Sequence, residues 1–420
     1  MNEYQNNHLE RNSELIQLTK ISDRIIKDNT TEIIYIVGNA GMGKTQLIKE
    51  FHKSIEMREH NWIFMPCDVI LAKSLNPVEY FFNIFFDQSP EINMQENKAN
   101  FEKKIDHLLE VSNNQELKSE LIRTKYLIGS IINLFWKNSL YDELDAKIRY
   151  DNIIYAIKNL FLILSDLKQT FIVVEDSNWM DHDTKKLFEV LFRNTRNIPF
   201  TTILLCRSDE DGSHFKLGID DIRENKISLE PFNKETTRYL VDEFLNRDNK
   251  KRIKIPEDTL DLIWKRSKGN PFVLKYVLQY IENKDILDRS LHIKVGSNVP
   301  SNTDFFILAK FEMLSPRLKE ITEMASILGK NFTTSILQKM LNNKKIDKYI
   351  HEGMKENLWY SLSKLNHTFE NEYIRKTIYE NALKRTRIHK LAARSIEKVH
   401  KNNLENYYPD LAYNYEKAEV

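Results

Sequence analysis

Ile33-Ile34-Tyr35-Ile36-Val37-Gly38-Asn39-Ala40-Gly41-Met42-Gly43-Lys44-Thr45 decides the fold. The first five residues are a continuous apolar, β-branched run, long enough for a buried strand and too short for a helix. Gly38–Thr45 then matches G-x-x-x-x-G-K-[ST] in full, and Lys44–Met57 reads as a helix. Each position has a chemical reason. Glycines permit the backbone angles that turn successive N–H groups inward around a phosphate. The helix that opens at Lys44 adds its positive N-terminal end. Lys44 supplies a mobile cation to the β- and γ-phosphates, and Thr45 offers a hydroxyl to Mg²⁺. The plain alternative is an incidental glycine turn, and the flanking strand and helix argue against it.

Further strands read outward from this loop. Trp62–Met65, Phe171–Val174, Thr202–Cys206 and Ile227–Leu229 are short apolar runs separated by helical patterns, which argues for a parallel sheet covered on both faces. A helix spans residues 12–28, with Leu15, Leu18, Ile21 and Ile25 on one stripe. Residues 76–168 read as a long helical stretch between the second and third strands. Beyond Pro231, helices are expected over 233–246, 258–267 and 271–282, a linker over Val295–Thr303, and a small β element near Trp359–Leu365.

The third strand ends in Glu175-Asp176, two carboxylates at the end of a strand that faces the ligand crevice of an open α/β sheet. One can hold Mg²⁺ and the other can polarise an attacking water; we assign Glu175 to the metal and Asp176 to the water, although adjacent acids can exchange roles. Thr45, Glu175 and Asp176 are thus the expected metal-side groups. The fourth strand ends in Cys206-Arg207-Ser208-Asp209. If that strand lies between the first and third, Arg207 stands near the γ-phosphate; otherwise it is a surface arginine closing a strand.

Composition bounds the rest. The chain has 420 residues, 41% hydrophobic and 29% charged, which indicates two to three globular domains. A net charge of +1 gives no bulk electrostatic case for nucleic acid or an acidic membrane. Gly and Pro stand at only 10 each, which favours helices. The two cysteines, Cys67 and Cys206, show no metal-ligand spacing, and no apolar run is long enough to span a bilayer. The reading is a cytoplasmic protein without a membrane segment. Lys384–Lys401 is basic, but Ile388, Leu391, Ala392, Ile396 and Val399 stripe it, so it reads as a solvated face over a buried one; His389 and His400 read as surface residues.

Glu175-Asp176-Ser177-Asn178-Trp179-Met180-Asp181 resembles the E/D-D-x-x-W-x-D stretch of the STAND signal-transduction ATPases, in the branch fused to nucleotide cyclases and LuxR-type regulators. Leu9–Leu15 resembles that family's G-R-x-x-E-L box, with Glu10 where glycine is usual. Ser228–Phe232 resembles its L-x-P-L segment, Gly269-Asn270-Pro271-Phe272 its G-N-P motif, and Ala325–Phe332 its A-x-x-L-G-x-x-F. The resemblance implies an α/β fold: an ASCE-type P-loop NTPase parallel-sheet core over 1–230, a helical lid over 231–295 and a mostly helical winged-helix region over 300–380. Residues 381–420 would be C-terminal helices at the start of a helical-repeat region. It implies ATP/ADP and Mg²⁺ as cofactors, with Gly38, Asn39, Ala40, Gly41, Met42, Gly43, Lys44, Thr45, Arg207, Pro271 and Arg11 around the nucleotide. It further implies protein partners through the C-terminal helices, nucleotide-dependent self-association and a regulatory ATPase. The alternatives are a nucleotide-holding interaction module without turnover, and a DNA-associated ATPase of the initiator or transposition-helper type.

Overall fold

The computed structural model describes residues 11–55, 60–67, 74–89, 92–193, 200–209, 212–246, 254–283, 303–342, 345–362, 365–401 and 404–419. The chain divides into two compact units, Met1–Asn39 with Lys44–Leu229, and Ala40–Gly43 with Glu230–Val420.

The first unit is built on five strands: β1 (Glu32–Val37), β2 (Asn61–Pro66), β3 (Thr170–Glu175), β4 (Phe200–Cys206) and β5 (Arg223–Ser228). Their order is β2-β3-β4-β1-β5, and every pairing is parallel. The placement of β4 between β1 and β3 meets the condition set for Arg207. Strands β1, β3 and β4 are buried at every position, as their unbroken apolar runs require when helices cover both faces. Strand β5 starts four residues before the expected Ile227. It lies at the sheet edge, where only Ile227 is buried, so Arg223–Lys226 carry no apolar signal.

Around the sheet run α1 (Asn12–Asp28), α2 (Lys44–Ile55), α3 (Asn76–Phe85), α4 (Met94–Val111), α5 (Gln115–Ile131), α6 (Leu140–Glu143), α7 (Ala146–Leu167) and α8 (His182–Phe192). Helices α3–α7 are the expected helical stretch between β2 and β3. Phe82, Phe86, Phe101, Ile128, Leu160 and Phe161 bury its interior. Cys67 follows β2, and its N–H donates to Glu175 O at 2.9 Å. Both Cys67 and Cys206 are buried free thiols.

The second unit holds α9 (Lys234–Asn246), α10 (Glu257–Ser267), α11 (Pro271–Asn283), α12 (Thr303–Met313), α13 (Pro316–Leu328), α14 (Thr334–Met340), α15 (Asp347–Lys355), α16 (Glu372–Asn381), α17 (Arg385–Val399) and α18 (Tyr408–Lys417). The expected linker falls on residues 295–302, outside the described residues, and α12 begins at Thr303. The small β element is a three-stranded antiparallel sheet, β6 (Asn331–Thr333), β7 (Trp359–Ser361) and β8 (Asn366–Phe369), in the order β6-β8-β7. Strands this short leave no period-2 run to read, so β6 gives no sequence signal. Trp359 packs edge to face against Phe332 and Phe369 on one side of it, and those two rings meet at a tilt.

Helix α17 buries Ile388, Ala392 and Ile396; Arg385, Arg387, Lys390, Arg394 and Lys398 on it, and Lys384 and Lys401 beside it, are exposed. His389 is a correction: it is 1% exposed. Its Nδ1 bonds Asn414 Oδ1 at 2.9 Å and its Nε2 bonds the Tyr379 hydroxyl at 3.2 Å. The buried side of the helix takes in His389 and Ser395 besides its apolar members, because a histidine with both nitrogens partnered can be buried. His400 stacks on Tyr407 with ring centroids 3.6 Å apart. No described helix is long and apolar enough to cross a membrane.

Candidate nucleotide-binding site

Strand β1 delivers the chain into the phosphate loop, and the Gly38 N–H donates to Cys206 O at 3.2 Å, so the loop starts pinned to β4. Gly43 has φ +89°, a region that favours glycine, and the position of a Cβ there is open space. The Lys44 ammonium donates to the carbonyls of Gly38 (2.6 Å) and Asn39 (3.1 Å), so it is held over the loop that it closes. Burial pulls its pKa down to about 8; the Asp176 charge opposes that pull and Arg207 adds to it. The Asn39 side-chain carbonyl accepts from Ser208 Oγ at 2.8 Å, a second tie to the segment after β4.

The acidic strand end meets this loop. Thr45 Oγ1 donates to Glu175 Oε1. Glu175 is buried while Asp176 is half-buried, and Asp176 adopts φ +53°, where the chain leaves the strand. Arg207 Nη2 stands 3.6 Å from Asp176 Oδ1. Lys44, Thr45, Glu175, Asp176 and Arg207 are therefore brought together in the first unit. A hydroxyl and two carboxylates form an all-oxygen donor set, which fits a hard divalent cation such as Mg²⁺ and not a soft one.

Three polar residues after β3 have contacts that no sequence pattern signals. Ser177 Oγ donates to Leu205 O at 3.1 Å, and Asn178 Oδ1 accepts from the Arg207 N–H at 2.7 Å. Asp181 caps α8 through the N–H groups of Asp183 and Thr184, and it also accepts from the Leu75 N–H at 3.0 Å. The last acid of the W-x-D stretch is thus a staple between α8 and the start of α3. Trp179 is exposed.

Arg11 stands at the start of α1, buried, with Nη1 donating to Glu14 Oε1 at 2.9 Å. Within the second unit, Pro271 is the first residue of α11, and Asn270 Oδ1 accepts from the N–H groups of Phe272 and Val273 at 3.0 and 3.2 Å. The Asn270 amide donates to Ala40 O at 2.9 Å in the same unit. Gly269 has φ +69°, and a Cβ there would lie 2.1 Å from Phe232 O.

Residues 8–204 match the AAA ATPase domain family. The matched segment takes in the loop and the acidic strand end, and stops within β4. Among solved structures, the chain is similar to the Signal Transduction ATPase with Numerous Domains (STAND) protein with a tetratricopeptide repeat sensor from Pyrococcus horikoshii. That likeness has a TM-score of 0.51 at 12% identity and covers 94% of this chain and 47% of that one. The chain spans about half the length of that relative, and the likeness shows a shared fold. Cdc6p from Pyrobaculum aerophilum follows at TM-score 0.37 and 10% identity, covering 90% of this chain and 97% of that one. The Aeropyrum pernix ORC1 protein in complex with DNA is similar at TM-score 0.37 and 9% identity, covering 89% and 92%. No curated protein matches the sequence.

Proposed function

We propose that the chain is a Mg-ATP-binding, ATP-hydrolysing switch of signal transduction or transcriptional control. The observation that carries this reading is the cluster in which Thr45 bonds Glu175 while Arg207 faces Asp176 across 3.6 Å. Each group has a task in phosphate-anhydride hydrolysis. Backbone N–H groups of Gly38–Gly43 and the start of α2 would cradle the phosphates. Lys44 would exchange its carbonyl partners for phosphate oxygens, a stronger charge-assisted contact. Thr45 and Glu175 would hold Mg²⁺, which when bound offsets phosphate charge. Asp176 would orient and polarise the attacking water, and Arg207 would report whether the γ-phosphate is present.

The regulatory role rests on the STAND resemblance and on the relative that carries a tetratricopeptide repeat sensor. In this reading 231–295 is the lid, 300–380 a winged-helix-like domain and 381–420 the start of a partner-binding helical region. Arg11 and Pro271 would approach the nucleotide. Single-turnover hydrolysis by the purified chain tests the ATPase reading: release of phosphate that depends on Mg²⁺ and on Lys44 supports it. Tight nucleotide binding without turnover would leave a nucleotide-holding interaction module.

The seven exposed cations on and beside α17 favour a second reading, a DNA-associated ATPase. Retention of a labelled duplex at near-physiological salt would support it, because non-specific phosphate contacts weaken steeply with salt.

A further inference from the structure

We infer that Asn178, granted the ATP site proposed above, is a positioning residue for Arg207. The backbone carries the argument. The β3–β4 ladder ends at Val174↔Leu204, whereas the β1–β4 ladder runs on to Val37↔Cys206. Past that last pair no β4 residue is paired with β3, while the pairing on the loop side continues, so the Leu205 carbonyl and the Arg207 N–H have no strand partner on the acidic side. Two side chains make good the loss. Ser177 Oγ donates to Leu205 O at 3.1 Å, and Asn178 Oδ1 accepts from the Arg207 N–H at 2.7 Å. The turn that presents them is short and fixed: Trp179 N–H donates to Asp176 O at 2.9 Å and Met180 N–H to Ser177 O at 3.1 Å.

The consequence is geometric. Gly38 N–H holds Cys206 O from one side and Asn178 holds the Arg207 N–H from the other, so the chain leaving β4 is held on both sides at the residue whose guanidinium faces Asp176. Asn178 touches neither phosphate nor water in this scheme. It acts through Arg207, and it shares a turn with Asp176, so the acid and the arginine are set by one local structure. Without the acceptor, the Arg207 main chain is free to move away from the acidic turn. Misplacing a group by about 1 Å can cost on the order of 100-fold in rate.

The test compares Asn178→Leu, which keeps the shape and removes the acceptor, with Asn178→Asp, which keeps an acceptor oxygen. We expect Asn178→Leu to lower kcat for ATP hydrolysis about 10- to 100-fold while ADP affinity stays within about threefold. Its preference for ATP over ADP should narrow to that of Arg207→Ala, and Asn178→Asp should recover most of the rate. On an Arg207→Ala background, Asn178→Leu should add little, because the two act as a unit. Unchanged kcat in Asn178→Leu overturns the inference, as does a loss that adds in full to Arg207→Ala. An Asp variant as poor as the Leu variant also overturns it, and so does loss of ADP binding in both, since either makes the turn merely structural. Failure of the wild-type chain to hydrolyse ATP, or normal turnover by Lys44→Ala, defeats the ATPase reading itself and this inference with it. With Lys44-dependent turnover in hand, an indifferent Asn178 defeats this inference alone.

Discussion

Glu175 and Asp176 are neighbours in sequence but differ in surroundings: one is buried against the Thr45 hydroxyl, the other is half-buried and faces Arg207. Their substitutions should therefore part company. Asp176→Asn keeps the shape and removes the charge, so ATP should stay bound while single-turnover hydrolysis slows about 100- to 10,000-fold. Glu175→Gln should instead raise the Mg²⁺ concentration needed for activity. Wild-type hydrolysis in the first, with a second that is dead at any Mg²⁺ concentration, would reverse the two roles. Lys44→Ala should abolish tight ATP binding in a titration, because the phosphates lose their cation; full retention of affinity would sink the site. Gly38–Thr45 was legible because phosphate chemistry dictates the residue type at each end of a fixed spacing. Asn178 was not. Its partner is a backbone N–H 29 positions away, just past the end of β4, and a contact of that kind has no local period or composition.

Elements were legible where burial is two-sided. Strands β1, β3 and β4 announce themselves as apolar runs; β5, a polar edge, does so only at its Ile227 end, and β6, three residues long, not at all. Helix α15 owes its seat on the small sheet to Gly353: a Cβ there would stand 2.1 Å from Trp359 Cζ2. The indole cannot yield easily, being 1% exposed with Nε1 donating to Ile350 O at 3.0 Å. Gly353→Ala should cost about 1–3 kcal/mol, the usual range for overpacking, read as a lower denaturation midpoint at unchanged slope. Helix α17 carries a pH prediction. Burial holds the pKa of His389 below its ordinary value of 6.5, and the same is true of His367. The unfolded chain then binds more protons than the folded one below that value. Stability is full above pH 6.5 and falls as pH drops from there towards the folded pKa values, by at most about 1.4 kcal/mol per pH unit for each proton. Thermal unfolding followed from pH 7.5 to pH 5 should show the midpoint falling, and His389→Gln should flatten part of that slope. An unchanged slope in the variant would remove His389 from the account.

At the scale of the molecule, the sheet order was legible only through a conditional argument about Arg207. Spacing says that a strand exists and not which neighbour it chooses, because pairing is decided by contacts far apart in sequence. The proposed switch belongs to this scale too. A ligand shifts a conformational equilibrium only by its differential affinity for the two states, so ADP and a non-hydrolysable ATP analogue should give different small-angle scattering profiles at saturation. Identical profiles would count against a switch.

Cys67 and Cys206 close the strands on either side of β3, and both are shut away from water. Burial raises the Cys206 thiol to about 11, so it is inert as well as hidden. The protein thus carries two native clocks at the mouth of its own crevice, each of which runs only while the strand ends breathe open. A chromogenic disulfide reagent should count both thiols at once in guanidinium and reach them slowly in the folded chain, at a rate set by local opening. Nucleotide that binds only the closed form should slow that rate by the factor 1 + [L]/Kd, about 100-fold at 100 times Kd. The same curve would give a nucleotide affinity without a labelled nucleotide, a tag or a single substitution.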